Sequence, residues 1–92
     1  MKIEVKQKHI RAGVKCSINY CPIALALSDC TGLIFSVGEM SIEHGDFSID
    51  TPKRCERFIE AFDDEENVKP FSFNLPIDKY VNGWKKNLKK KK

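Results

Sequence analysis

A Cys-Pro step that leads directly into an alanine and leucine run constrains the fold of this chain more than any other feature. The run, YCPIALAL, occupies residues 20–27. Proline is favoured at the first helical position because its φ is already helical and its missing N–H would have no partner there. Gly32 supplies a residue that can adopt the left-handed conformation and end a helix. The sequence therefore predicts a short, mostly apolar helix over residues 21–31 that lies in the core.

A second helix is predicted to begin at Thr51-Pro52, with threonine as the N-cap and proline at the first helical position. Apolar residues follow at spacings of three and four, which places them on one face of the helix. This buried stripe consists of Cys55, Phe58, Ile59 and Phe62.

Alternation of apolar and polar residues predicts five strands around these helices. A chain of 92 residues can bury one modest core. The sequence therefore predicts an α+β fold, a two-layer sandwich with an antiparallel-rich sheet, two helices on one face and the order βαβββαβ. Residues 1–76 form the single domain and residues 77–92 a basic amphipathic tail, while residues 8–20 are an irregular connection. The strands are expected at about 2–7, 33–37, 40–44, 47–50 and 71–75.

The charge of the chain is divided unevenly between body and tail. Residues 1–75 carry a formal charge of −3 and residues 76–92 a charge of +6. Apolar residues recur in the tail at helical spacing beside lysines, so a helix is predicted over about 77–89. Such a helix could cap the core of its own domain, enter a groove on a partner, lie on an anionic membrane or contact a phosphate backbone. Its apolar residues are Ile77, Tyr80, Val81, Trp84 and Leu88.

Residues with catalytic or metal-binding chemistry do not form a recognisable motif. Cys21 at a helix start could be a nucleophile with His9 or His44 as its base, but a small buried residue fits the apolar helix better. Cys16 and Cys21 have loose zinc spacing without a second pair of ligands. The acidic block of residues 63–66 lacks a calcium-loop pattern, and no glycine-rich phosphate loop is present. We predict no catalytic residue, no metal site and no cofactor.

Five segments in a fixed order carry a resemblance to a known group of proteins. They are MKIEVKQKHI, CPIALAL, FSVG, RFIEAFDD and VKPFSFNL. Across residues 1–75 this order resembles a family of small uncharacterised proteins of bacteriophages and prophages. The resemblance implies a phage setting, in which a chain of this size is similar to proteins that disable host defence, anti-CRISPR proteins among them. Residues 76–92 depart from the pattern of the family.

The resemblance and the charge pattern together lead to a functional hypothesis. The chain is expected to be a phage-encoded, non-enzymatic inhibitor that blocks a host protein or ribonucleoprotein such as a CRISPR surveillance complex. It is expected to act as a monomer in the host cytoplasm. Contact with a nucleic-acid backbone is expected, and contact with a membrane is not. The alternatives are a small nucleic-acid-binding accessory protein, and a thiol enzyme or a protein that sequesters a nucleotide signal. The predicted partner-binding residues are Lys6, Lys8, Arg11, Lys15, Tyr80, Trp84, Lys85 and Lys86.

Overall fold

Four helices and five strands form the part of the chain that a computed structural model describes, namely the backbone of residues 1–90 and the side chains of residues 1–84. The predicted α+β class is confirmed, and the observed order is βααβββαβα. The strands are β1 (Lys2–Val5), β2 (Ser36–Val37), β3 (Ser41–His44), β4 (Phe47–Asp50) and β5 (Phe71–Asn74). The helices are α1 (Gln7–Ala12), α2 (Pro22–Thr31), α3 (Lys53–Asp63) and α4 (Asp78–Lys90).

Helix α2 begins and ends at the residues that the sequence indicates. Pro22 occupies the first helical position, and the Sγ atom of the N-cap Cys21 accepts a hydrogen bond from the backbone N–H of Ala24 at 3.5 Å. Gly32 ends the helix with a φ of 78°, and its N–H donates to the carbonyl of Ser28 at 2.8 Å. Local signals at both ends therefore suffice to define this helix.

Helix α1 lies where the sequence predicts an irregular connection, so that part of the prediction is wrong. The backbone N–H of Lys6 donates to Nδ1 of His9 at 2.9 Å, which caps the first turn. Gly13 ends the helix against the ring of Pro22, where an added Cβ would lie 2.6 Å from the ring carbons. Six residues are too few to establish a helical period, and α1 is stabilised instead by packing against α2.

The start of α3 differs by one position from the prediction. Pro52 is the N-cap rather than the first helical residue, and the first residue of the helix is Lys53. The hydroxyl of Thr51 donates to the carbonyl of Gly38 at 2.7 Å, so it ties α3 to the turn before β3 instead of capping the helix. The predicted apolar stripe is confirmed at Cys55, Phe58 and Ile59, all of which are buried.

The five strands divide between two antiparallel sheets. Strand β1 pairs with β5, and β2, β3 and β4 form the predicted meander. The outer side of β2 is occupied by the loop before α2, because the N–H of Val37 donates to the carbonyl of Ile18 at 2.7 Å. The loop therefore covers this edge of the three-stranded sheet, and the single sheet of the predicted sandwich is observed as two sheets. Helix α2 packs against β1 and β2, and so joins the two sheets.

The predicted tail begins inside the hydrophobic core. Ile77 and Val81 are almost fully buried and belong to the same core cluster as Phe35 and Leu27. Ile77 directly precedes α4 and Val81 lies in its first turn, with the N–H of Val81 bonded to the carbonyl of Ile77, so the start of the helix packs onto the body of the fold. Residues 91–92 lie outside the described part of the chain.

Candidate partner-binding surface

The three lysines in the first ten residues line one cleft. Lys2 lies on β1, Lys6 precedes α1 and Lys8 lies in its first turn, so the short connection between β1 and α1 brings them together. The cleft has a volume of about 450 Å³. Arg11 lies one turn further along α1, at a spacing that places it on the same helix face as Lys8. We call Lys2, Lys6, Lys8 and Arg11 the basic corner.

A buried histidine holds α1, the helix that carries part of the basic corner, in position. His9 is only 5% exposed, and its Nδ1 accepts the N–H of Lys6. Because Nδ1 is an acceptor, the ring proton is on Nε2, which donates to Oδ2 of Asp29 at 2.6 Å. Nδ1 therefore caps the start of α1, and Nε2 positions α1 against α2. His9 would have to give up one of these hydrogen bonds before it could act as a general base.

Carboxylates neutralise part of the positive charge at the basic corner. Lys8 Nζ lies 3.3 Å from Oδ2 of Asp29, and Lys2 Nζ lies 3.8 Å from Oε1 of Glu4. Hydrogen bonding from His9, and to a smaller extent from Lys8, lowers the pKa of Asp29 below its usual range. Within the described residues, Lys6 and Arg11 are in no ion pair, and both are exposed. These two side chains carry the charge that is available to a partner.

The fourth basic residue predicted for the N-terminal region lies in a different environment. Lys15 Nζ is 3.1 Å from Oε2 of Glu65, in the acidic block that follows α3. The backbone N–H of the adjacent Cys16 donates to Oδ1 of Asp63 at 2.9 Å. The structure therefore places Lys15 beside the acidic block and pairs its charge there.

Tyr80 and Trp84, the two aromatic residues predicted to bind a partner, pack on the β3–β4 hairpin. The ring of Tyr80 stacks on Phe47 at 4.3 Å between centroids, and its hydroxyl donates to the carbonyl of His44 at 2.9 Å. The indole of Trp84 meets the His44 ring edge-on at 4.8 Å. Burial raises the pKa of the Tyr80 hydroxyl, and the nearby charge of Asp46 raises it further by a smaller amount. Tyr80 thus anchors α4 to the hairpin.

Trp84 keeps a surface that a partner could contact. Its side chain is 37% exposed, whereas Tyr80 is held by the hairpin. The side chains of Lys85 and Lys86 lie outside the described part of the chain. His44 and Phe47 also belong to this cluster. The sequence does not predict their contacts with α4, because these contacts join residues more than thirty positions apart.

The buried cysteines are poorly suited to nucleophilic chemistry. Burial raises the pKa of Cys21 above the ordinary thiol value, and raises the pKa of Cys55 to about 12. A thiol reacts as the thiolate, so both groups are held in their unreactive form at neutral pH. Among the described residues, no group of three histidine, cysteine or acidic side chains is arranged to hold a metal ion.

Thiol labelling should separate the four cysteines into two pairs. We expect Cys16 and Cys30, which are exposed, to react with Ellman's reagent in the folded protein at pH 8. Cys21 and Cys55 should react about a hundredfold more slowly, because labelling requires local opening of the core. A variant with Cys16→Ser and Cys30→Ser should lose the fast phase. Rapid labelling of all four thiols in the native state would contradict the burial of Cys21 and Cys55.

No helix in the described part of the chain has the length and apolarity needed to cross a membrane. Comparison with protein-family models, with curated proteins and with solved structures finds no match.

Proposed function

We propose that this chain is a phage-encoded, non-enzymatic inhibitor that binds a host defence complex, and that the target is a CRISPR surveillance ribonucleoprotein. The observation that carries the proposal is the basic corner, where Lys6 and Arg11 present positive charge without an ion-pair partner among the described residues. The phage setting comes from the sequence resemblance. Blocking a surface requires no chemistry, only about 800 Å² of contact area with a few anchoring side chains.

The basic corner is suited to an anionic partner surface. Phosphate groups of a guide RNA attract lysine and arginine without regard to base sequence, and arginine can bind two phosphate oxygens at once. The hydrogen bonds of His9 fix the position of α1, so its exposed cations are held on a rigid element. If the chain bound the guide RNA through its basic corner, it would compete with target DNA for the RNA-containing channel of a surveillance complex.

Charge reversal at the basic corner tests this proposal. Purified surveillance complexes loaded with guide RNA are mixed with the chain, and binding of target DNA is measured by gel shift. We expect the chain to prevent target binding, and the double variant Lys6→Glu with Arg11→Glu to require about a tenfold higher concentration. The matched control is Lys53→Glu with Lys69→Glu, which makes the same change in net charge at exposed positions elsewhere. The control should stay within about twofold of the parent chain.

Two outcomes would count against the proposal. If both double variants lose potency equally, the effect is one of net charge and not of the basic corner. If the parent chain inhibits none of the complexes, the proposed target class is wrong.

The second candidate is a small nucleic-acid-binding protein, which the exposed part of Trp84 favours because an indole can stack on bases. Binding of the isolated chain to a short RNA, with affinity that falls steeply as salt rises, would support this candidate. A defence inhibitor should bind the free RNA weakly and the loaded complex tightly.

A further inference from the structure

A second cleft, of different chemistry from the basic corner, lies between the loop of residues 13–21 and the C-terminal end of α3. Two contacts hold the loop in place: the Cys16 N–H to Asp63 hydrogen bond and the Lys15 to Glu65 ion pair. The cleft has a volume of about 270 Å³. It is formed by segments that are distant in sequence, so only the folded chain presents it.

The lining of this cleft combines apolar surface with negative charge. Val37 and Ile59 are buried and form its apolar base, while Ile18 lines it with 55% of its side chain still exposed. The carboxylates of Glu39 and Asp63 also line the cleft, and none of its lining residues is basic. An occupant must therefore offer both an apolar part and a positive charge.

We infer that this cleft binds an arginine side chain presented by a protein partner. The aliphatic stem of arginine can pack on Ile18, and its guanidinium can donate to the carboxylates of Asp63 and Glu39. Arginine fits better than lysine because its charge is more weakly hydrated and its planar group can bind two carboxylate oxygens. Carboxylates repel phosphate, so nucleic acid is not the occupant of this cleft.

The size of the cleft and its surroundings favour a protein over a free small molecule. Small-molecule pockets usually have volumes of about 300 to 1,000 Å³, and this cleft is slightly below that range, as suits a single side chain. The same loop exposes Val14 and Tyr20 by more than half, although both are large apolar residues. Exposed apolar side chains on a loop that forms one wall of a pocket are typical of protein interfaces.

This inference does not depend on the basic corner or on the choice of target. A ribonucleoprotein offers phosphates and arginine side chains on one surface, so both faces could contact the same complex. A test on the isolated chain therefore separates this inference from the proposed function.

The test is an NMR titration of the full ¹⁵N-labelled chain with the peptide acetyl-Leu-Arg-Leu-amide. We expect saturable shifts of the amide signals of Ile18, Gly38 and Asp63. The matched peptide acetyl-Leu-citrulline-Leu-amide has almost the same shape without the charge, and should bind at least about fivefold more weakly. Equal affinity for the two peptides, or no saturable shift at these amides, would overturn the inference.

Substitutions in the cleft make the test specific. Asp63→Asn removes the charge but keeps an oxygen that can accept the Cys16 N–H, and should weaken peptide binding at least about fivefold. Asp64→Asn removes the neighbouring charge, which does not line the cleft, and should change affinity less than about twofold. Ile18→Ser, at an exposed position, should weaken binding without unfolding the chain. Equal losses for Asp63→Asn and Asp64→Asn would show general charge attraction and overturn the inference.

Discussion

Replacing Ile77 with alanine should lower the free energy of unfolding by about 2 to 5 kcal/mol, the range measured for large-to-small substitutions in well-packed cores. Ile77 is fully buried and packs in the core cluster, which includes residues from both sheets. Its side chain cannot be removed without leaving a cavity that the surrounding helices and strands fill only in part. Chemical unfolding at pH 7, monitored by circular dichroism, measures the loss.

Substitutions at the neighbouring exposed positions are the control for this prediction. Lys79 and Asn82 are exposed residues of α4, and alanine at either position should change stability by less than about 0.5 kcal/mol. Val81→Ala, at a buried position, should also be destabilising. If Ile77→Ala is as stable as the two controls, the start of α4 does not pack on the core, and residues 77–92 behave as a separate tail.

The parts of the fold that could be predicted are those determined by neighbouring residues. The proline at position 22 and the left-handed Gly32 define both ends of α2 without reference to the rest of the chain. Helix α1 has no such signal, since its cap is a histidine that donates its second hydrogen bond to Asp29 on α2. The edge of β2 also depends on distant residues, because the carbonyl of Ile18 in the loop before α2 accepts the N–H of Val37 there.

The residues of the candidate site could likewise be predicted only where neighbouring residues determine their arrangement. Helical spacing in the tail identifies Tyr80 and Trp84 as residues of one face, but not the hairpin on which that face packs. Charge patterning groups Lys15 with the other N-terminal cations, although in the structure it pairs with Glu65, fifty positions away. A sequence reveals which charges exist. The folded structure determines which of them are already neutralised.

Raising the pH from 9 towards 12 should destabilise the chain through the Cys55 thiol. Its pKa is about 12 in the folded protein, against an ordinary thiol value of 9 in the unfolded chain. The folded state therefore retains a proton that the unfolded state loses, so the stabilisation is complete below pH 9 and is lost as the pH rises. The expected slope is about 1.4 kcal/mol per pH unit between these values. The raised pKa of Cys21 acts in the same direction.

A comparison of two alanine variants isolates the contribution of Cys55 from general alkaline effects. Urea unfolding is measured at pH 8, 9, 10 and 11 with a reductant present, so that no disulfide forms. Cys55→Ala should be less stable than the parent chain at pH 8 because a small cavity replaces the sulfur atom, but its stability should fall less steeply above pH 9. Cys30→Ala, which removes an exposed thiol, should keep the slope of the parent chain. Parallel curves for the parent and Cys55→Ala would mean that the thiol ionises without unfolding the protein, and that the core around it admits water.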